Sequence, residues 1–366
     1  MPTQPDSVPD FDDLPKVQDM PQGCAWGVFD KNGEKDLLGT LNFLTPEVVR
    51  AAATEVKDGV SFSLKYKCCP FQRTNHGTDK YSRNSWPMNA LNRLPSLFRK
   101  PAKRNLIYLP DLFGLDVKSW DDELEFNTQA SSQWDSLSHY QHQTSGLAYN
   151  GFSLDKQGLS VESTAKNKLP TLDHWHTRGC IAARGILLDF KAYAEEKKMP
   201  FGPFEGHRIT VDDLEACAMH FGVEFRPGDV LLVRTGTTEL IDKAIEDGDQ
   251  TLLAKATAGT SLSGVHGCED TARWLWNKRF AAAASDSNGF EAYPPVKADG
   301  SLGGPSDLVL HPYMLSCFGM CIGELWDLSR LSAYCKETKR YSFMLTSAPL
   351  NYPALIGSPP NALAIF

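Results

Sequence analysis

The chain lacks several features that would assign it quickly to a class. No apolar run approaches bilayer length; the buried-looking stretch from Gly185 to Phe190 is far too short for a span, so no membrane association is expected. A basic surplus is also missing. The formal charge is -8 and the isoelectric point about 5.6, without the cationic footprint that neutralising nucleic-acid phosphates requires. The beginning, M-P-T-Q-P-D-S-V-P-D-F-D-D, has neither the basic start nor the apolar core of a secretory signal, so a cytoplasmic location is expected. The nine cysteines contain no C-x-x-C pair: Cys68 and Cys69 are adjacent, and Cys317 and Cys321 are four apart. This reads as reduced usage, the thiols serving as small buried hydrophobes. The G-x-S-x-G elbow, the Walker loop, a G-x-G-x-x-G turn after a strand and H-E-x-x-H are all absent, which removes the common hydrolase and nucleotide-binding signatures.

What is present is enough apolar material for a large core: 42% of 366 residues. Residues 1–22 read as a flexible acidic tail, and residues 23–366 as one domain, since no Ser-rich or Gly-rich linker divides them. Thr45 followed by Pro46 predicts a helix start. Val60, Phe62, Leu64 and Tyr66 alternate as in a half-buried strand. Residues 70–120, rich in Pro, Asn, Arg and Lys, read as long loops of the kind that carry function. From Gly179 strands and helices alternate. G-I-L-L-D-F and D-V-L-L-V-R are buried strands, Thr210 caps a helix, further helices are predicted over 237–246 and 270–278, and strands over 280–284 and 320–325. The fold class is therefore α/β.

Chemistry is concentrated in two places. N-T-Q-A-S-S-Q-W-D-S-L-S-H-Y-Q-H holds Gln129, Gln133, Asp135, His139 and His142, and a carboxylate with an imidazole four residues on suits zinc or manganese if both face one pocket. A core-satisfied or surface reading of that cluster stands beside this one. In L-V-L-H-P-Y-M-L-S-C-F-G-M-C-I-G-E-L, His311 precedes an apolar helix and Glu324 closes a buried strand. A carboxylate there needs a cation, a metal or a strong donor, unless the strand end is exposed.

These segments resemble a known family, the cyclase family that contains bacterial kynurenine formamidase, isatin hydrolase and related lactone hydrolases. Its signature, H-x-G-T-H-x-D-x-P-x-H, falls in frame on Gln129 to His139. Downstream, Y-N-G-F, R-G-I-L-L-D-F, F-R-P-G-D-V-L-L-V-R-T-G, H-P-Y-M-L, G-E-L and G-S-P-P-N follow in the family's order. The resemblance implies a swivelling β/β/α fold, a homodimer or homotetramer, and one divalent ion, zinc or manganese, held by Asp135, His139, His311 and Glu324. The chain departs from the signature at Gln129 and Gln133, which replace histidines, and at Leu137, which replaces proline; the Q-W-D form is similar to that of eukaryotic, fungal-like branches.

The implied activity is hydrolysis of an amide, cyclic amide or lactone carbonyl of a small aromatic or polyketide-like molecule by metal-activated water, as in an arylformamidase. Gln129 and Gln133 would orient water, and His142, or else His139, would carry the proton. Trp134 and Phe152 would supply aromatic wall or simple core packing. His174 and His176, at alternate positions of a presumed extended segment, would line the pocket or serve structure. Arg234 would hold a substrate carboxylate or carbonyl, or else a structural ion pair. Asp286 and Glu291 would support a ligand or stabilise a loop. Two rivals remain: a metal-independent cyclase or dehydratase working by acid and base groups, and an inactive binding member of the family.

Overall fold

The computed structural model describes residues 7–65, 99, 103–114 and 116–366. Its strands are β1 Ser61–Ser63, β2 Lys103–Tyr108, β3 Trp120–Glu125, β4 Gln133–Asp135, β5 Ile181–Leu188, β6 Arg208–Ile209, β7 Val230–Val233, β8 Gly264–Val265, β9 Ala282–Ser285, β10 Cys321–Glu324, β11 Ser342–Ser347, β12 Gly357–Ser358 and β13 Ala362–Ile365. Nine of them form one sheet in the order β1-β13-β11-β5-β7-β9-β10-β4-β12, while among the described residues β2 pairs only with β3 and β6 only with β8.

The centre of the large sheet, β5-β7-β9-β10, is parallel, and antiparallel strands extend it on both sides. A parallel block must be covered on both faces, and Val230–Val233 is accordingly buried at every position. Ala282, Ala283 and Ala284 are likewise buried. Small residues there leave little room between neighbouring strands: a Cβ added at Gly323, the partner of Ala284 on β10, would come within 2.5 Å of the Ala284 Cβ. The predicted helix starts have their caps. The Thr45 side chain accepts from Val48 N, and Thr210 forms a capping box with Asp213.

Two expectations are corrected. The described part of the 1–22 tail is packed, not loose. Phe11 is buried, with its ring 5.9 Å from that of Tyr313 and 6.2 Å from that of Phe318. The Phe11 N–H donates to Asn277, and the Trp276 indole donates to Pro9 O. The acidic, proline-rich composition masked the apolar series Val8, Phe11, Leu14, whose burial holds the segment down. The second correction concerns His174 and His176, which lie on the helix Asp173–Arg178 and not on an extended segment, so positions two apart diverge. Of the loops expected over 70–120, the described end is the β2-β3 ribbon with the short helix Leu109–Phe113; Tyr66, Cys68 and Cys69 fall outside the described residues. Among the described residues no helix is long and apolar enough to cross a membrane.

Candidate metal centre

Strand pairing builds the site. β4 and β10 run antiparallel with Glu324 opposite Gln133 and Ile322 opposite Asp135. Directly paired residues share a face, and positions two apart on one strand share it too. Gln133, Asp135 and Glu324 therefore project to the same side. Trp134 projects to the other, where its ring meets Trp175 and Trp326 and its indole donates to Ser347 Oγ. Trp134 is thus a core residue, and its reading as pocket wall is corrected by the two-residue period of the strand.

His311 arrives from the segment before β10, at the head of a π-helical turn over Pro312–Phe318. Its ring is clamped: Nδ1 lies 2.7 Å from Glu291 Oε1, and Nε2 lies 3.4 Å from Glu324 Oε1. Asp135, His311 and Glu324 are all buried, and one donor atom from each lies within 4.8 Å of the others. Gln133 Nε2 donates to Glu324 Oε2 at 2.5 Å, and Gln129 Nε2 donates to Asp135 Oδ1 at 2.6 Å. His139 stands at the edge, a quarter exposed, with Nε2 3.9 Å from Asp135 Oδ2 and Nδ1 3.2 Å from Gln129 Nε2.

The electrostatics follow from burial and pairing. Burial raises the Asp135 carboxyl, opposed by the charge of His139 and reinforced by that of Glu324, to about 6. Burial pulls His311 down, but its hydrogen bonds to Glu291 and Glu324 outweigh it and lift the imidazole to about 10. Burial also works to raise Glu324 and Glu291, and in both the contact with His311 prevails and lowers them. One polar atom of the Asp135–His311–Glu324 trio is left over. Asp135 Oδ2 is buried without a hydrogen-bond partner among the described residues. An orphaned carboxylate oxygen facing an imidazole nitrogen and a second carboxylate is a nitrogen and oxygen donor set of the kind that zinc and manganese accept. The residues fit a divalent ion held by Asp135, His311 and Glu324, with His139 adjacent to that trio.

The other residues singled out from sequence lie elsewhere or are already engaged. His142 sits in a turn, with Nδ1 3.0 Å from Ser145 Oγ and its backbone bonded to Leu147. Phe152 is half-buried beneath the Lys35 ammonium, 5.0 Å from its ring centre. The His176 ring meets Pro349 O at 3.0 Å, and burial lowers His174. Arg234 is committed to Asp189 and Glu239, which is the structural ion pair of the two alternatives. Asp286 accepts from Thr235 N and Gly236 N, stabilising the loop after β7.

Sequence reasoning did not assign Glu291 to the His311 clamp. Burial of the glutamate in G-F-E directly after an alanine strand was the available signal. It also missed Tyr140, whose ring centre lies 5.4 Å from that of His311. Arg99 was missed as well, and no spacing linked it to the cluster; its Nη1 donates to Gln129 O at 2.5 Å and to Gln133 Oε1 at 3.3 Å.

No curated protein matches the sequence. Among solved structures, a crystal structure described as a novel cyclase is 25% identical, with a TM-score of 0.70 over 94% of this chain and 99% of that one. Isatin hydrolase A from Ralstonia solanacearum is 15% identical, with a TM-score of 0.48 over 88% and 98%. A structure described as a potential metal-dependent hydrolase with cyclase activity is also 15% identical, with a TM-score of 0.40 over 83% and 98%. A family model described as "Putative cyclase" matches residues 63–292, more than half of the chain and including Gln129 to His139, and the protein therefore belongs to that cyclase family.

Proposed function

We propose that the protein hydrolyses an amide, cyclic amide or lactone carbonyl of a small molecule at the Asp135–His311–Glu324 centre. The observation that carries this reading is the buried trio, whose Asp135 Oδ2 has no hydrogen-bond partner among the described residues. A divalent ion at such a centre polarises a carbonyl and brings the pKa of a bound water toward neutrality. Glu291 holds His311 by Nδ1, which leaves Nε2 directed at the cluster. Gln133 fixes the Glu324 carboxylate, and Gln129 bridges Asp135 and His139.

His139, not His142, is the proton carrier in this reading, because it touches the cluster while keeping a quarter of its side chain open to solvent. It takes the proton of the attacking water and returns it to the departing nitrogen or oxygen.

One observation favours a second reading. His311, charged between Glu291 and Glu324, satisfies both carboxylates with no ion at all, as an acid–base cyclase or dehydratase would need.

Elemental analysis of the purified protein, alongside Asp135→Ala and Glu324→Ala and a panel of amides and lactones, separates the two. The hydrolase reading expects about one zinc or manganese per chain, absent from both variants, together with turnover that stripping abolishes. Turnover that survives complete stripping would overturn it in favour of the acid–base reading.

A further inference from the structure

Arg99 is a charged side chain for which the proposed chemistry has so far no use. Its Nη1 bridges the backbone oxygen of Gln129 and the side-chain oxygen of Gln133, and Gln133 in turn donates to Glu324. The guanidinium is therefore one amide away from a buried carboxylate of the metal centre. Elsewhere in the fold the buried guanidinium groups are matched with carboxylates, Arg184 with Asp229, Arg234 with Asp189 and Glu239, and Arg279 with Asp10, while the half-buried Arg178 and Arg208 donate to backbone carbonyls. Arg99 forms no such ion pair among the described residues. Among the described residues its Nη1 donates to two neutral oxygens.

The charge balance at the centre gives this a purpose. Asp135, Glu291 and Glu324 supply three negative groups around His311. A divalent ion leaves such a set negative, and a negative site repels an incoming carboxylate. One guanidinium removes that surplus and offers further N–H donors in the fork geometry that matches a carboxylate.

We propose that Arg99 forms an anion subsite beside the Asp135–His311–Glu324 centre, and that the substrates are carbonyl compounds that carry a carboxylate or become one on hydrolysis. The inference rests on the hydrolase reading for its substrate class, not for its binding test. In the reaction it serves, the water oxygen bonds to the carbonyl carbon and the bond from that carbon to nitrogen or oxygen breaks. The leaving atom takes a proton, and the new acid gives its proton to solvent, so the product is a carboxylate placed within reach of Arg99.

The test is equilibrium binding of benzoate and of its neutral isostere benzamide, measured by calorimetry on metal-stripped and metal-loaded protein, for the wild type, Arg99→Gln and Arg99→Lys. The wild type is expected to prefer benzoate by about tenfold or more, with or without metal. Arg99→Gln should erase that preference, and Arg99→Lys, which keeps the charge but not the fork, should retain part of it. Unchanged melting temperatures certify that the variants are folded. No preference in the wild type, or a preference that Arg99→Gln leaves intact and metal stripping removes, overturns the proposal. If the protein binds no metal and turns over no carbonyl, yet benzoate still depends on Arg99, the hydrolase reading falls and the subsite stands.

Discussion

Glu291 Oε1 stands 2.7 Å from His311 Nδ1, and the same carboxylate accepts the backbone N–H groups of Val309, Leu310 and His311. Ring orientation and backbone position of His311 are thus set by one buried side chain, a common way of presenting the other ring nitrogen to an ion.

Glu291→Gln tests this directly. The amide cannot accept all four donors, so the His311 ring loses its fixed orientation. Metal affinity is expected to fall by about 10–100-fold, read by competition with a chromophoric chelator. An unchanged affinity would show that His311 is oriented by other contacts.

Gln133→Leu removes the donor to Glu324 Oε2 while nearly preserving side-chain volume. Leaving a buried carboxylate short of a partner costs about 1–3 kcal/mol. Chemical denaturation should show a loss of that size in stripped protein and a smaller one in protein saturated with zinc. Equal losses in both forms would mean that Glu324 takes no part in holding the ion.

The Arg234–Glu239 pair carries a pH signature. Burial works to raise Glu239, but the charge of Arg234 and the hydrogen bond from Lys191 outweigh it and hold the carboxyl below its ordinary 4.5. A lowered folded-state pKa means stability that is present above 4.5 and lost as pH falls through the lowered value. Glu239 is 28% exposed, which discounts the pair. Glu239→Gln should therefore cost about 1–2 kcal/mol at pH 7. The gap from wild type should close steadily below pH 4.5. A gap that stays constant down to pH 3 would place the effect in packing, not in charge.

Gly323→Ala probes the floor of the site. The new Cβ would lie 2.5 Å from Ala284 Cβ and 2.8 Å from Trp326 Nε1, both on rigid neighbours. Overpacking of this kind is expected to cost about 1–3 kcal/mol in urea denaturation. Because Gly323 pairs with Trp134 between the Gln133 and Asp135 positions, metal affinity should fall with it. Full stability in the variant would show that β9 and β10 can separate.

The sequence by itself determined the α/β class, the buried parallel strands and the helix starts at Thr45 and Thr210. These depend on local quantities: apolar runs such as V-L-L-V and cap chemistry acting within a few residues. It also singled out the stretch from Gln129 to His139 and the pair His311 and Glu324, because carboxylates and imidazoles in apolar company stand out against their surroundings. Only the tertiary structure decided how they combine. The antiparallel register of β4 on β10 puts Gln133, Asp135 and Glu324 on one face and sends Trp134 to the core. Glu291 and Arg99 join from segments 20 residues and more away from the groups they serve, over separations that no local pattern encodes. Arg234 showed the converse. At the end of a strand it looked available, and Asp189, 45 residues upstream, was already its partner. Charge pairing across such distances follows from the packing of the sheet, where burial makes every unmatched charge costly.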